Sequence, residues 1–182
     1  MTSKKAVVKS VILGLLICAV MGMIFAFSAQ PAVDSDALSD GLIAGTVRLF
    51  LSHSQNLSQA EIDRICTTYS NFVRKCAHFT EYAALGFLCL LFLDSLSAFS
   101  FSIDENKPSV LFGRSRTSGA ARCSVSILLC AVYAATDEIH QYFVPERACR
   151  AYDVLIDALG SAVGVLIAFV ILNVIQKIGS HR

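Results

Sequence analysis

Val11–Phe27, which reads VILGLLICAVMGMIFAF, decides the fold because it holds 17 consecutive uncharged residues. It follows three lysines within the first nine residues, and its length reaches the lower limit for a helix that crosses a bilayer. A signal peptide has the same outline, and Ala26-Phe27-Ser28 has the small-x-small form of a cleavage site. The run is longer than the about 7–15 apolar residues of an ordinary signal sequence, so we predict a retained membrane span.

Composition extends this interpretation to the whole chain. Of 182 residues, 55% are hydrophobic and 16% are charged, against about 25% charged residues in soluble domains. The mean hydropathy is +0.62, and the apolar residues fall into four blocks. This pattern excludes a soluble domain, a disordered chain, collagen and a coiled coil. The formal charge of +1, without a long basic run, excludes nucleic acid as a partner.

We therefore predict one all-α membrane domain over residues 1–182, with four spans joined by polar segments. The predicted spans are residues 8–27, 70–94, 123–143 and 153–176. Residues 28–65 are the least apolar and contain a helical apolar spacing, which predicts an interfacial helix or a short helical cap. Its apolar positions are Leu38, Leu42, Ile43, Val47, Phe50 and Leu51. Residues 97–122 are predicted to form a polar loop.

The distribution of Lys and Arg predicts the orientation, because these residues accumulate on the cytoplasmic side of a membrane. With the N-terminus inside, the cytoplasmic residues are Lys4, Lys5, Lys9, Lys107, Arg114, Arg116, Arg122, Lys177 and Arg182. The opposite side keeps Arg48, Arg64, Arg74, Lys75, Arg147 and Arg150. Nine against six predicts a multi-pass protein of the cell membrane with both termini in the cytoplasm.

Two polar motifs interrupt the apolar blocks, at spacings that share one face of a helix. In R-K-C-A-H-F-T-E-Y (residues 74–82), Arg74, His78 and Glu81 follow one another at spacings of four and three residues. In D-E-I-H-Q (residues 137–141), Asp137 and Gln141 are four residues apart. Ionisable groups in membrane spans usually face the bundle interior or a watery cavity. We therefore predict that the motifs meet in an extracytoplasmic site. The candidate catalytic residues are His78, Glu81, Asp137, Glu138 and His140. The candidate ligand-binding residues are Arg74, Lys75, His78, Glu81, Gln141, Arg147 and Asp153.

These motifs resemble the signature stretches of the VanZ-like family. The resemblance lies in residues 74–82, in D-E-I-H-Q-Y-F-V-P-E-R (137–147) and in D-V-L-I-D-A-L-G-S-A-V-G (153–164), and F-S-A-Q-P-A (27–32) is also similar. It implies a small multi-helix membrane protein, and a named relative contributes to low-level teicoplanin resistance. No settled reaction comes with the family. The chain departs at Glu146, where the family usually has Gly, and in the bulkier Ala148-Cys149-Arg150.

Four chemical interpretations of the motifs remain open. Two imidazoles and several carboxylates are ligand types for zinc, although neither H-E-x-x-H nor a duplicated E-x-x-H is present. Arg74, Lys75, His140 and Arg147 would form a cradle for a phosphate or carboxylate. A histidine oriented by a carboxylate would serve catalysis. Alternatively, Arg74–Glu81 and Arg147–Asp153 are ion pairs that hold helices together.

Two further features concern packing and redox chemistry. Gly160 and Gly164 have the G-x-x-x-G spacing of a close-packed helix face. Among the seven cysteines, Cys66 and Cys149 are expected to lie outside the membrane, where a disulfide would join them.

Two functions compete on this basis. The first is an envelope protein that affects glycopeptide susceptibility by binding an envelope lipid, a precursor or the drug. The second is an intramembrane hydrolase or transferase acting on a lipid-linked phosphate, with a metal as one option. A hydroxyl or thiol nucleophile beside a histidine would favour the enzyme. The sequence leaves the cofactor open.

Overall fold

The computed structural model describes residues 3–51, 58–103, 118–147 and 149–180, and each regular element in these ranges is an α-helix. The helices are α1 (Ser3–Ser28), α2 (Ala32–Leu51), α3 (Gln59–Ile103), α4 (Gly119–Gln141) and α5 (Ala151–Ser180). All except α2 are long and apolar enough to span a membrane. The predicted all-α bundle with four spans is confirmed.

The segment predicted as a polar loop at 97–122 is shorter than expected. Helix α3 continues to Ile103, and α4 starts at Gly119 because the Ser118 side chain accepts a hydrogen bond from the Ala121 N–H (3.2 Å). The predicted loop residues Lys107, Arg114 and Arg116 lie outside the described residues. The third span was predicted to residue 143, but α4 ends at Gln141.

Helix α3 is much longer than a bilayer requires. Its 45 residues extend over about 68 Å, whereas the hydrocarbon core is about 30 Å thick. It begins with a capping box, in which the backbone N–H and the hydroxyl of Ser58 both donate to the Glu61 carboxylate at 2.8 Å. The first third of α3 therefore projects beyond the spanning part.

The predicted interfacial or capping helix is α2, which packs against this projecting part of α3. Ile43 of α2 is buried together with Ile62 and Cys66 of α3. Leu38 and Leu42 lie on the opposite, exposed face of α2. The side chains of Phe50 and Leu51, which belong to the predicted apolar pattern, lie outside the described residues. Asp34 in the first turn and Arg48 in the last complement the helix dipole.

Helices α3 and α5 approach each other closely at three glycines. A Cβ atom added at Gly160 would overlap the carbonyl group of Phe79, and one added at Gly164 would overlap that of Ala83. Gly86 meets the backbone of Ser161 in the same way. The predicted close-packing face of Gly160 and Gly164 is confirmed, because only hydrogen atoms fit between these two backbones.

Polar contacts at the two ends of the bundle delimit an apolar layer. At one end Arg122 of α4 forms an ion pair with Asp94 of α3, and Ser10 of α1 lies 2.8 Å from Ser95. At the other end lies His78, 16 residues before Asp94, or about 24 Å along α3. This thickness is close to that of the hydrocarbon core of a membrane.

The α3–α5 contact makes a testable prediction with a matched control in α1. Gly164→Ala should destabilise the bundle by about 1–3 kcal/mol, because the helices must move apart to admit the methyl group. Gly22→Ala should be neutral or slightly stabilising, since its Cβ would have no heavy atom within 4 Å. Thermal unfolding in one detergent measures both variants. Equal unfolding temperatures for the two would show that the contact does not limit stability.

Candidate functional site

The first polar motif places Arg74 and His78 one turn apart on α3. Arg74 donates to Asp36 of α2, with 2.7 Å between Nη1 and Oδ1, and to the Asn71 side chain at 3.3 Å. The predicted pair between Arg74 and Glu81 is wrong, because α2 brings its own carboxylate to this guanidinium. Helix α2 therefore holds the Arg74 side chain in place on α3.

A second ion pair joins the start of α5 to α3. Lys75 pairs with Asp153 in the first turn of α5, and its ammonium lies 5.0 Å from the centroid of the Tyr152 ring. The predicted pair between Asp153 and Arg147 is therefore wrong. Asp157, one turn further along α5, is buried. The α3–α5 packing thus positions one cation and two carboxylates side by side.

The end of α4 and the turn after it form a further part of the site. Helix α4 ends at Gln141, and Pro145 lies past its end, as the sequence predicts. The turn continues with a hydrogen bond from the Val144 N–H to the Gln141 carbonyl at 3.0 Å. The buried Glu138 carboxylate accepts from the backbone N–H of Arg150, just before α5. Glu138 therefore joins the end of α4 to the start of α5.

Helix α1 contributes to the site through its last turn. Ser28 is fully buried, and its hydroxyl donates to Asp137 Oδ2 at 2.7 Å. The Gln141 amide nitrogen donates to both members of this pair, to Asp137 Oδ2 at 3.1 Å and to Ser28 Oγ at 3.2 Å. Arg147 donates to the carbonyl of Phe27 at 3.2 Å. The end of α1 is therefore held by both α4 and the turn.

A polar cavity of about 120 Å³ lies between α3, the end of α4 with the turn after it, and the start of α5. Its lining residues are Asn71, Arg74, Lys75, His78, Glu138, Gln141, Glu146, Arg147, Arg150, Asp153, Ile156 and Asp157. The two sequence motifs thus converge, and seven predicted site residues line one cavity. These seven are Arg74, Lys75, His78, Glu138, Gln141, Arg147 and Asp153.

Two of the four Lys and Arg residues that line the cavity among the described residues, Arg74 and Lys75, have a carboxylate partner. Arg147 and Arg150 have no carboxylate within 4.0 Å there, but Arg150 is exposed, whereas Arg147 is half-buried and donates to the Phe27 carbonyl. Its Nε atom is buried and has no hydrogen-bond partner there. Burial, and then the charge of Arg74, lower the pKa of the Arg147 guanidinium. The carboxylates of Asp137, Asp36 and Glu138 offset part of this effect, and an anion beside Arg147 would add a closer countercharge.

Three predicted catalytic residues do not line the cavity. Asp137 is engaged by Ser28 and Gln141, and Glu81 Oε2 lies 4.0 Å from His78 Nδ1, beyond hydrogen-bond distance. His140 stacks on Phe25 of α1, with 4.3 Å between the ring centroids. Its Nε2 atom is buried without a hydrogen-bond partner among the described residues. His140 therefore faces α1 and is not part of the predicted anion cradle.

The two remaining chemical predictions find no support in this geometry. Within residues 3–51, 58–103, 118–147 and 149–180, no three His, Cys, Asp or Glu side chains are grouped as metal ligands. His78, Glu138 and Asp153 line the same cavity, but they are therefore not close enough together to bind one metal ion. Cys66 is buried against α2, where its thiol contacts the Asp40 carbonyl, and Cys149 is exposed. Both cysteines are free, so the predicted disulfide is wrong.

Five residues of the lining were not predicted from the sequence, and only some left a signal. They are Asn71, Glu146, Arg150, Ile156 and Asp157. Asp157 follows Asp153 by four residues and shares its helix face, so the spacing could have found it. Asn71 precedes Arg74 by three residues on the same face. Ile156 is one apolar residue among many, and nothing in the sequence distinguishes it.

Comparison with known proteins adds the family. Residues 13–173 match the model of the family described as VanZ/LLP1. The chain belongs to the VanZ/LLP1 family. No curated protein and no solved structure matches it. The match covers α3, α4 and the cavity completely and most of α1 and α5, so it includes the motifs that carried the resemblance.

The turn before Arg147 contains a residue in an unfavourable backbone conformation. Glu146 has a φ of 62°, and no other non-glycine residue among those described has a positive φ. This left-handed conformation favours Gly. The chain therefore adopts the turn that suits Gly, at a cost in backbone strain.

Glu146→Gly should stabilise the protein by about 1 kcal/mol, because Gly accepts the left-handed conformation without a Cβ clash. Glu146→Ala is the control, since it removes the same carboxylate and keeps the Cβ. Chemical unfolding in detergent micelles compares the three proteins. If Glu146→Gly is no more stable than Glu146→Ala, the turn does not store this strain.

Proposed function

We propose that this VanZ/LLP1 membrane protein binds the anionic headgroup of an envelope lipid, or of a lipid-linked envelope precursor, in the cavity beside Arg147. The observation that supports this most directly is the guanidinium without a carboxylate partner, next to a polar cavity. Guanidinium groups bind phosphates and carboxylates through paired hydrogen bonds. A partly buried arginine in such a place is most stable with an anion bound.

The rest of the cavity supports an anion at the edge of a membrane. The cavity lies at one end of the apolar layer, about 24 Å along α3 from Asp94. Phosphate headgroups occupy this depth, whereas acyl chains lie in the hydrocarbon layer. Exposed Tyr142, Phe143 and Tyr152 near the cavity are residues typical of the membrane–water interface. A lipid could therefore present its headgroup to Arg147 while its chains remain in the bilayer.

Binding fits the cavity better than turnover does. Among its described lining residues none is Ser, Thr or Cys, so a hydroxyl or thiol nucleophile beside a histidine is missing. His78 is the imidazole of this wall, and its Nδ1 atom has no hydrogen-bond partner among the described residues. A hydrolase or transferase would need this histidine to be oriented by a carboxylate. The geometry therefore favours a binding protein over the competing enzyme.

Glycopeptide susceptibility is the cellular role that fits such binding. The resemblance to VanZ-like proteins implies low-level teicoplanin resistance. Binding of an anionic envelope component would change which envelope molecules teicoplanin contacts at the cell surface. This role requires the cavity to face outward from the cell membrane, with both termini in the cytoplasm. A glycopeptide bound directly in the cavity is the other ligand that this role permits.

Arg147→Gln should weaken the binding of phosphatidylglycerol by about tenfold or more, because a hydrogen-bonded charge contributes more than a neutral group. Native mass spectrometry can count bound lipid on protein released from phosphatidylcholine vesicles that contain phosphatidylglycerol. In cells that express the protein, the same substitution should abolish any teicoplanin tolerance that expression confers.

The matched control is Arg64→Gln, which removes the same charge from an exposed position on the projecting part of α3. It should keep wild-type lipid binding and tolerance. Arg147→Gln should also match the wild type in abundance and in unfolding temperature. Equal lipid binding by the two variants would refute the proposed site.

The orientation has its own test. A reporter enzyme that is active only in the cytoplasm should work when fused after Arg182 or near Arg114, and should fail near Asn56. These three fusion points lie outside the described residues. The Lys and Arg distribution is the reason for this expectation. Activity near Asn56 would place the cavity on the cytoplasmic side and exclude an outward-facing site.

A further inference from the structure

The orientation of one amide at the cavity is fixed by its neighbours. Asp137 Oδ2 receives hydrogen bonds from the Ser28 hydroxyl at 2.7 Å and from Gln141 Nε2 at 3.1 Å. A carboxylate only accepts hydrogen bonds, so the amide nitrogen of Gln141 must face it. The reversed amide would place two oxygen acceptors against each other. The Gln141 carbonyl oxygen, Oε1, is therefore directed away from Asp137.

This oxygen is an acceptor available at the cavity. Gln141 lines the cavity, and its two side-chain hydrogen bonds to described residues both use Nε2. Oε1 is not among the fully buried atoms, so it is accessible from the cavity. Of the four carboxylates in the lining, Asp153 pairs with Lys75 and Glu138 accepts from the Arg150 N–H, while Glu146 and Asp157 complete the set. A neutral acceptor at such a cavity can bind a donor on a ligand in place of water without adding a repulsive charge.

We propose that the ligand of this cavity is a phosphodiester lipid whose headgroup carries a hydroxyl group. The anionic phosphate pairs with Arg147, and the hydroxyl donates to Gln141 Oε1. This inference rests on the proposed binding function and narrows its ligand class. A phosphodiester without a headgroup hydroxyl offers Oε1 no donor, whereas a polyol phosphodiester supplies both the charge and the donor. The Ser28–Asp137 pair orients the Gln141 amide so that its oxygen can accept from the headgroup hydroxyl.

A pair of lipids isolates the hydroxyl. Dioleoyl phosphatidylglycerol and dioleoyl phosphatidylmethanol have the same charge and acyl chains, but only the first has a headgroup hydroxyl. In phosphatidylcholine nanodiscs the wild-type protein should prefer phosphatidylglycerol by about three- to tenfold, which is the effect of one hydrogen bond to a neutral group. Equal affinity for the two lipids would overturn the inference.

Variants separate this inference from the function on which it rests. Gln141→Leu should lower the affinity for phosphatidylglycerol to that for phosphatidylmethanol and leave the latter unchanged. Arg147→Gln should weaken both lipids in equal proportion. If both bind the wild type equally and depend on Arg147, the hydroxyl inference fails and the anion site stands. If neither binds above the phosphatidylcholine background, the binding function itself fails.

Two controls keep the test independent of folding and of plain anion binding. The wild-type comparison needs no variant, so a Gln141→Leu protein that does not fold leaves the main result intact. Ser28→Ala removes one anchor of the amide outside the cavity lining, and it should reduce the preference between the lipids without abolishing binding. Equal displacement of both lipids by inorganic phosphate at millimolar concentration would overturn the inference.

Discussion

The contact between the backbones of α3 and α5 is the constraint on which the rest of the structure depends. Gly160 meets Phe79 and Gly164 meets Ala83, so each step of four residues on one helix matches four on the other. One step back along the same register places Lys75 beside Ile156, both on the cavity wall. Larger residues at the glycine positions would separate the helices and open this wall. The shape of the polar cavity thus depends on the close packing of α3 against α5 at Gly160 and Gly164.

Interhelical ion pairs add to this constraint at the ends of the bundle. They join α3 to α2, α5 and α4 in turn, through Arg74–Asp36, Lys75–Asp153 and Arg122–Asp94. Near a membrane surface, water lowers the cost of such charges. Each of these cations is neutralised by a carboxylate of the protein, whereas the half-buried Arg147 donates to a backbone carbonyl instead. The proposed anion site rests on this unequal distribution.

The helices could be predicted from the sequence because long uncharged runs have few alternatives in a bilayer. The shared face of each polar motif was also predictable, since a helix has a fixed period. Spacing does not reveal which neighbouring helix a face meets. Arg74 pairs with a carboxylate from α2 instead of its own helix, and His140 turns toward Phe25 because α1 packs beside α4. Such partners are decided by tertiary packing.

The last turn of α1 bears on whether the first span is retained. In the signal-like Ala26-Phe27-Ser28 sequence, Ser28 is fully buried and bound to Asp137, whereas Ala26 and Phe27 are exposed. The Phe27 carbonyl accepts from Arg147, so cleavage here would remove a contact of the guanidinium that faces the cavity. Cleavage would also release the anchor that orients Gln141. The first span, if retained as predicted, therefore contributes its last turn to the packing around the cavity.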